Sequence, residues 1–203
     1  MDIKLHKNDL PKDLDFGNKI AIDCEFMGLN FLRDKLCLVQ ISSGKSDAHI
    51  VQLDRAKYDA PNLKKLLSSD KTFIFHYAQH DLAAIKHDLN IMIKNVYCTK
   101  ISSKIARTYS QGHGYKDLCK ELLNIDISKK QQSSDWSNPN LSKEQINYAA
   151  TDVIHLHDIK EKLDEILVRQ NRIQLVQACI EFLPTRVELD LRGWNTDIFS
   201  HSS

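Results

Sequence analysis

The chain has 203 residues, 42% hydrophobic and 27% charged, a balance that supplies a packed core and excludes disorder over the whole length. Lys+Arg total 28 against Asp+Glu 27, a formal net charge of +1, which excludes a surface coated in basic charge to grip long nucleic acid. No apolar run reaches the roughly 20 residues of a membrane-spanning helix, and the five cysteines are scattered without a C-x-x-C pair, which argues against a disulfide framework or a zinc cluster.

Together with an opening segment that lacks a signal-peptide core, these features give the expectation of a cytoplasmic protein with no membrane partner. With only 6 Gly and 4 Pro, breakers are sparse. The whole chain, 1–203, therefore reads as one domain closing in a helical tail from about 170.

The first half predicts strands. Residues 19–27 (KIAIDCEFM) alternate, 36–43 (LCLVQISS) form a buried-strand run, and 48–53 (AHIVQL) form a third segment. Turn residues at 43–46 between the last two suggest an antiparallel meander. A short helix at 62–67 and an apolar strand at 72–76 follow. Helical periodicity then takes over at 81–88, 100–108, 115–122 and 142–168, the last opening with Ser142 and Gln145 in capping-box spacing. Strands first, then strand and helix in alternation, predict an α/β fold with a mixed sheet flanked by helices. The tail, 178–199, mixes apolar anchors with charges and fits either a subunit contact or a cover for its own sheet.

Five side chains stand out within these elements. Asp23 and Glu25 lie two apart on a strand, hence on one face, where Asp and Glu are depleted and like charges repel unless a cation offsets them. Asp81 falls where a helix begins, and Tyr148 and Asp152 are at i and i+4 on the long helix, off the stripe of Ile146, Ala150, Val153 and His157. Each has an ordinary reading on its own: an exposed edge strand, a helix-dipole charge, a half-exposed Tyr with a solvated Asp. Converging on one point, four carboxylates need a cation. Oxygen ligands alone select Mg²⁺ or Mn²⁺, and two such ions about 3.5–4 Å apart form the clamp for displacement at phosphorus.

In order along the chain, IDCEF, HYAQHD and YAATD resemble the three motifs of DEDDy 3′–5′ exonucleases, the branch that contains ribonuclease D. LCLVQISSG, VYCTKISSKIARTY, ELLNIDISKKQQSSDW and FLPTRVELDLRGW extend the resemblance to the NrnC-type nano-RNases of alphaproteobacteria over nearly the whole chain. That resemblance implies a ribonuclease H-like sheet of five to six strands. It also implies stepwise release of nucleoside monophosphates from very short single-stranded RNA, 5′-phosphorylated dinucleotides above all, and a homo-oligomer, an octamer in that family. Asp23, Glu25 and Asp152 then hold one metal, Asp23 with Asp81 the second, and Tyr148 orients the attacking water. Met27, Gly28 and Leu29 after the first motif, with Leu29 as a wedge between two bases, and His80 beside Asp81 are the expected substrate contacts. Lys100 and Arg107 on one helix face, and Ser133, Ser134 and Trp136 in a polar loop, are two alternative sets for a terminal 5′-phosphate.

Three other readings are open at this level. One is a general ribonuclease D-like exonuclease that trims longer RNA or DNA. Another is a helical HD-type phosphohydrolase using His76, His80, Asp81 and Asp152. The last is an exonuclease-like domain that binds RNA without cutting it.

Overall fold

The computed structural model describes residues 2–28, 30, 32–128, 130–194 and 196–201. Leu29 lies outside the described residues. The elements are β1 (Asp2–Lys7), β2 (Lys19–Phe26), β3 (Leu36–Ser42), β4 (Asp47–Gln52), α1 (Pro61–Leu67), β5 (Thr72–Phe75), α2 (Ala78–Ala84), β6 (Val96–Cys98), α3 (Thr99–Ala106), α4 (Tyr115–Leu123), α5 (Lys143–Ile154), α6 (Leu156–Arg169), α7 (Ile173–Glu181) and α8 (Leu183–Leu191). Helix α2 continues into a π-helical turn, Ile85–Leu89.

The strands form one mixed sheet in the order β1-β4-β3-β2-β5-β6. β2, β3 and β4 make the expected antiparallel meander, while β1 joins β4, and β5 joins β2 and β6, in parallel. Every residue of β3 is buried, as its continuous apolar run requires of a central strand. The turn before β4 depends on Gly44: its φ is +83°, and a Cβ there would meet the His157 ring at 2.8 Å.

Alternation along β2 sorts its side chains between two layers. Ile20, Ile22 and Cys24 enter the larger core with α1, α2 and α8. Ala21 faces the layer under α5, packed with Ala149, Ala150 and Val153. A third cluster joins α3, α4, α6 and α7.

The single helix expected over 142–168 is two. It starts as predicted: Gln145 N–H donates to Ser142 Oγ at 3.2 Å, and Ser142 N–H to Gln145 Oε1 at 2.9 Å. It breaks at His155. Buried residues Ala150, Val153, Leu156 and Ile159 recur every three positions, so the stripe slips about 60° per step against the 3.6-residue period. The break lets α5 cover the sheet while α6 turns to α3 and α4. The tail folds onto its own domain, where α8 buries Leu183 and Val187 in the larger core. Among the described residues no helix is long and apolar enough to cross a membrane.

Candidate active site

The three motifs meet at the carboxyl end of β2, the usual position for a site in a sheet with parallel neighbours. Asp23 and Glu25 project toward α5, where Tyr148 and Asp152 lie one turn apart. Ligand oxygens of Asp23, Glu25 and Asp152 fall within 4.8 Å of one another. Asp81 arrives from the opposite layer, because β5 lies parallel beside β2 and delivers α2 to the same end of the sheet. Its carboxylate is buried, and its own backbone and the adjoining Cys24 partly oppose the upward push of that burial on its pKa. A register shift between Glu25 and Phe26 marks a bulge where the ladder ends, a common device beside active sites.

The electrostatics follow from this crowding. Burial, then Asp81, Asp152 and Glu25, push the Asp23 carboxyl well above the ordinary carboxylate range. Glu25 is raised by burial and by Asp152 and Asp81, and Asp81 is raised by burial. Burial and the neighbouring Asp152 and Glu25 also raise the Tyr148 phenol, which holds its proton at neutral pH. A dense set of oxygen donors with no cationic side chain among them fits a hard divalent cation. His76 does not join them: its Nδ1 pairs with Thr99 Oγ1 at 2.9 Å, and the six-stranded sheet removes the helical HD-type reading.

The carboxylates line a cleft of ≈ 390 Å³ together with Phe26, His76, Tyr77, His80, Lys100, Tyr115, Lys116, Gln132 and Tyr148. Of the substrate contacts expected from sequence, His80 and Lys100 are here. His80 packs edge-on against Phe26 at 4.9 Å, and Lys100 Nζ sits 4.2 Å from the Tyr77 ring centre. Tyr77, immediately before α2, lies in the left-handed region, φ 65°, an uncommon state for an aromatic residue and one found at functional turns.

The remaining contacts are placed differently. Arg107 is fully buried and donates to Ser103 Oγ (2.9 Å), Gly112 O (3.0 Å) and Ser110 Oγ (3.1 Å), with Glu121 as its ion partner. Helix α3 has already ended at Ala106, so the helical spacing that aligned Arg107 with Lys100 does not reach it. Trp136 is buried in the layer under α5 and tilts against Tyr148 at 6.0 Å, packing the site from behind. Ser133 is exposed and Ser134 donates to Gln131 Oε1 at 2.6 Å; neither lines the cleft. Met27 is exposed outside the lining residues. Gly28 is needed for a different contact, since a Cβ would strike Asp34 Oδ2 at 2.3 Å. Sequence reasoning missed Tyr77, Tyr115, Lys116 and Gln132, which come from loops and helix starts that only the fold brings together. Tyr115 is fixed by its hydroxyl donating to Thr151 O at 2.7 Å, next to Asp152.

The model of the 3′–5′ exonuclease family matches residues 5–168. Among solved structures, Brucella melitensis NrnC with bound Mg²⁺ is 47% identical with a TM-score of 0.94, and the same protein bound to pGG is 48% identical with a TM-score of 0.95; each alignment covers 100% of both chains. Ribonuclease D of Gluconacetobacter diazotrophicus is 30% identical over 81% of this chain and 42% of its own length. The chain spans less than half of that relative. Escherichia coli RNase D, 20% identical with a TM-score of 0.71 over 84% of this chain and 45% of that one, shares the fold.

Proposed function

The chain belongs to the 3′–5′ exonuclease family, and from that premise we propose that it hydrolyses very short RNA from the 3′ end, preferring 5′-phosphorylated dinucleotides and releasing nucleoside monophosphates. The observation that carries the hydrolytic reading is the convergence of Asp23, Glu25 and Asp152 within 4.8 Å, with Asp81 facing Asp23 and Tyr148 over them. All four carboxylates and the tyrosine are present, which favours an enzyme over a binding domain. The size preference draws support from the full-length similarity to Brucella NrnC, whose structure was solved bound to pGG.

In this reading Asp23, Glu25 and Asp152 hold one Mg²⁺ or Mn²⁺ ion, and Asp23 with Asp81 holds a second. When bound, the two ions supply hydroxide near neutral pH and offset charge on the departing 3′ oxygen. The protein does the rest by position. Tyr148 stays protonated and orients the attacking water by hydrogen bonding rather than by removing its proton. Lys100, at the rim beside Tyr77, offers positive charge to a phosphate, and the Tyr77 ring, 46% exposed, offers a face for a base. Leu29, four residues after Glu25, is the proposed wedge between two bases.

We also read the active form as a homo-oligomer, an octamer by the same resemblance. Val168, Leu175, Trp194 and Phe199 on and after the C-terminal helices expose more than half their surface, an apolar set that a subunit contact would cover. Light scattering on the purified protein tests that point.

The test of function is a time course with Mn²⁺ or Mg²⁺ on 5′-phosphorylated RNAs of two to seven nucleotides, resolving every product length. Rapid loss of the dinucleotide with longer RNAs nearly untouched supports the proposal. A ladder descending from the seven-mer at comparable rates replaces it with a general ribonuclease D-like trimming activity.

A further inference from the structure

Gln40 is the one described residue whose buried side chain leaves both its amide nitrogen and its amide oxygen without a hydrogen-bond partner. It is 0% exposed, in the middle of β3. An unmet buried polar group is destabilising, so an amide kept in this state calls for an explanation.

The sheet register supplies one. Gln40 lies directly opposite Asp23 on β2 and opposite Ile50 on β4. Opposed residues in an antiparallel pair point to the same face, with Cβ atoms about 4.5–5.5 Å apart. Along β3 its neighbours on that face are Leu38 and Ser42, and Ser42 Oγ already donates to Asp47 Oδ1 at 3.2 Å and accepts from Gly44 N–H at 3.1 Å. Above it α5 presents Ala149, Ala150 and Val153, which have nothing to offer an amide, and Trp136 in the same layer carries a buried, unpartnered indole N–H that can serve only the amide oxygen, so the amide N–H still needs an acceptor. Of its neighbours in the sheet, Asp23 alone holds a carboxylate that a glutamine side chain can reach by rotating.

We infer that Gln40 is a positioning residue for Asp23: its amide N–H donates to the Asp23 oxygen that faces away from the cation and holds the carboxylate in its coordinating orientation. The inference rests on the reading of Asp23 as a metal ligand. The chemistry is general. A carboxylate on a metal keeps lone pairs directed elsewhere, and a fixed donor to them selects one rotamer and tunes the ligand.

The arrangement predicts opposite movements of stability and metal binding. Gln40→Leu and Gln40→Met replace the amide by apolar groups of similar volume, a change that removes an unmet buried amide and leaves the layer filled. Thermal melts without metal should be unchanged or higher than those of the unmodified protein. Mn²⁺ binding followed by titration calorimetry should weaken about 10-fold or more, and dinucleotide hydrolysis should fall in step. Mn²⁺ affinity within twofold of the unmodified protein in both variants overturns the inference. So does a melt lowered by both variants, which assigns the amide to packing. If the unmodified protein takes up no Mn²⁺ and Asp23→Ala leaves hydrolysis unchanged, the reading of the site falls as well. Normal uptake by the unmodified protein with no difference in the variants removes Gln40 alone.

Discussion

Asp88 and Asp23 are both carboxylates packed tightly among other groups, and their surroundings are opposite. The Asp88 side chain, 1% exposed, accepts from Leu36 N–H and Tyr58 OH at 2.8 Å on one oxygen, and from His87 Nδ1 at 2.8 Å and Lys35 Nζ at 3.3 Å on the other. Burial pushes its pKa up, but these donors outweigh it and leave the group below the ordinary carboxylate range. Asp23 has Asp81, Asp152 and Glu25 around it and a single backbone donor, Cys24, opposing them. A buried acid with a full set of donors is a structural rivet, here tying the start of β3 to the π-helical turn. Buried acids facing one another are stable only with protons or a cation. The contrast separates a site from a scaffold using one residue type.

The largest expected effect comes from removing Asp23, the ligand proposed to be shared by two ions. Asp23→Asn should lower hydrolysis on the order of 10³-fold, the several kcal/mol a metal centre supplies, while the metal-free melt stays level or rises because a repulsion is gone. Rates from dinucleotide time courses and melts with chelator check both halves; a collapse of the fold would place Asp23 with Asp88 instead.

Tyr148→Phe sharpens the same side of the comparison. Since the proposed role of the phenol is to orient water without binding an ion, loss of the hydroxyl should cost roughly 10²-fold in rate with Mn²⁺ affinity unchanged. Full activity in that variant would remove the role.

Asp88→Ala should do the reverse of Asp23→Asn. Four donors lose their acceptor, so stability should drop about 2–3 kcal/mol in denaturant titrations, with the rate per folded molecule kept.

The smallest effect is a pH dependence of opposite sign in the two places. Asp23, Glu25 and Asp81 have raised pKa values when folded, so the folded chain binds protons before the unfolded one does as pH falls from neutral. Metal-free stability should therefore rise as pH drops toward the ordinary carboxylate value near 4. The Asp88 contribution, from a lowered pKa, is complete above that value and is lost as pH falls below it. Melts in chelator from pH 8 to 3 should show a rise and then a fall. Saturating Mn²⁺ should abolish the rise, because protons then compete with the cation.

Much of the active centre was legible in the sequence. An acid pair at i, i+2 in a strand and a Tyr/Asp pair at i, i+4 in a helix are local patterns, and the Ser142–Gln145 capping box marked the helix start correctly. Other elements carried weaker signals. β1, with a mostly exposed edge-strand pattern, and β6, three residues long, lack the apolar run that identifies a strand. The apolar tail folded into α7 and α8, whose register answers to α3 and α2 rather than to a pattern of its own. Arg107 shows how helix-face arithmetic fails one residue past the helix end. Trp136 shows how a polar-looking loop can bury its aromatic residue under a neighbouring helix.

The sequence by itself determined which of the acidic and tyrosine side chains share a face, because face and period are properties of backbone geometry within one element. Only the tertiary structure decided that Asp81 meets Asp23, that Lys100 reaches the cleft while Arg107 does not, and that Gln40 stands opposite Asp23. Those depend on β5 lying parallel beside β2 and on β3 pairing in one register with it. Such long-range pairings are set by burial of the whole sheet between its layers, and no stretch of sequence encodes them locally.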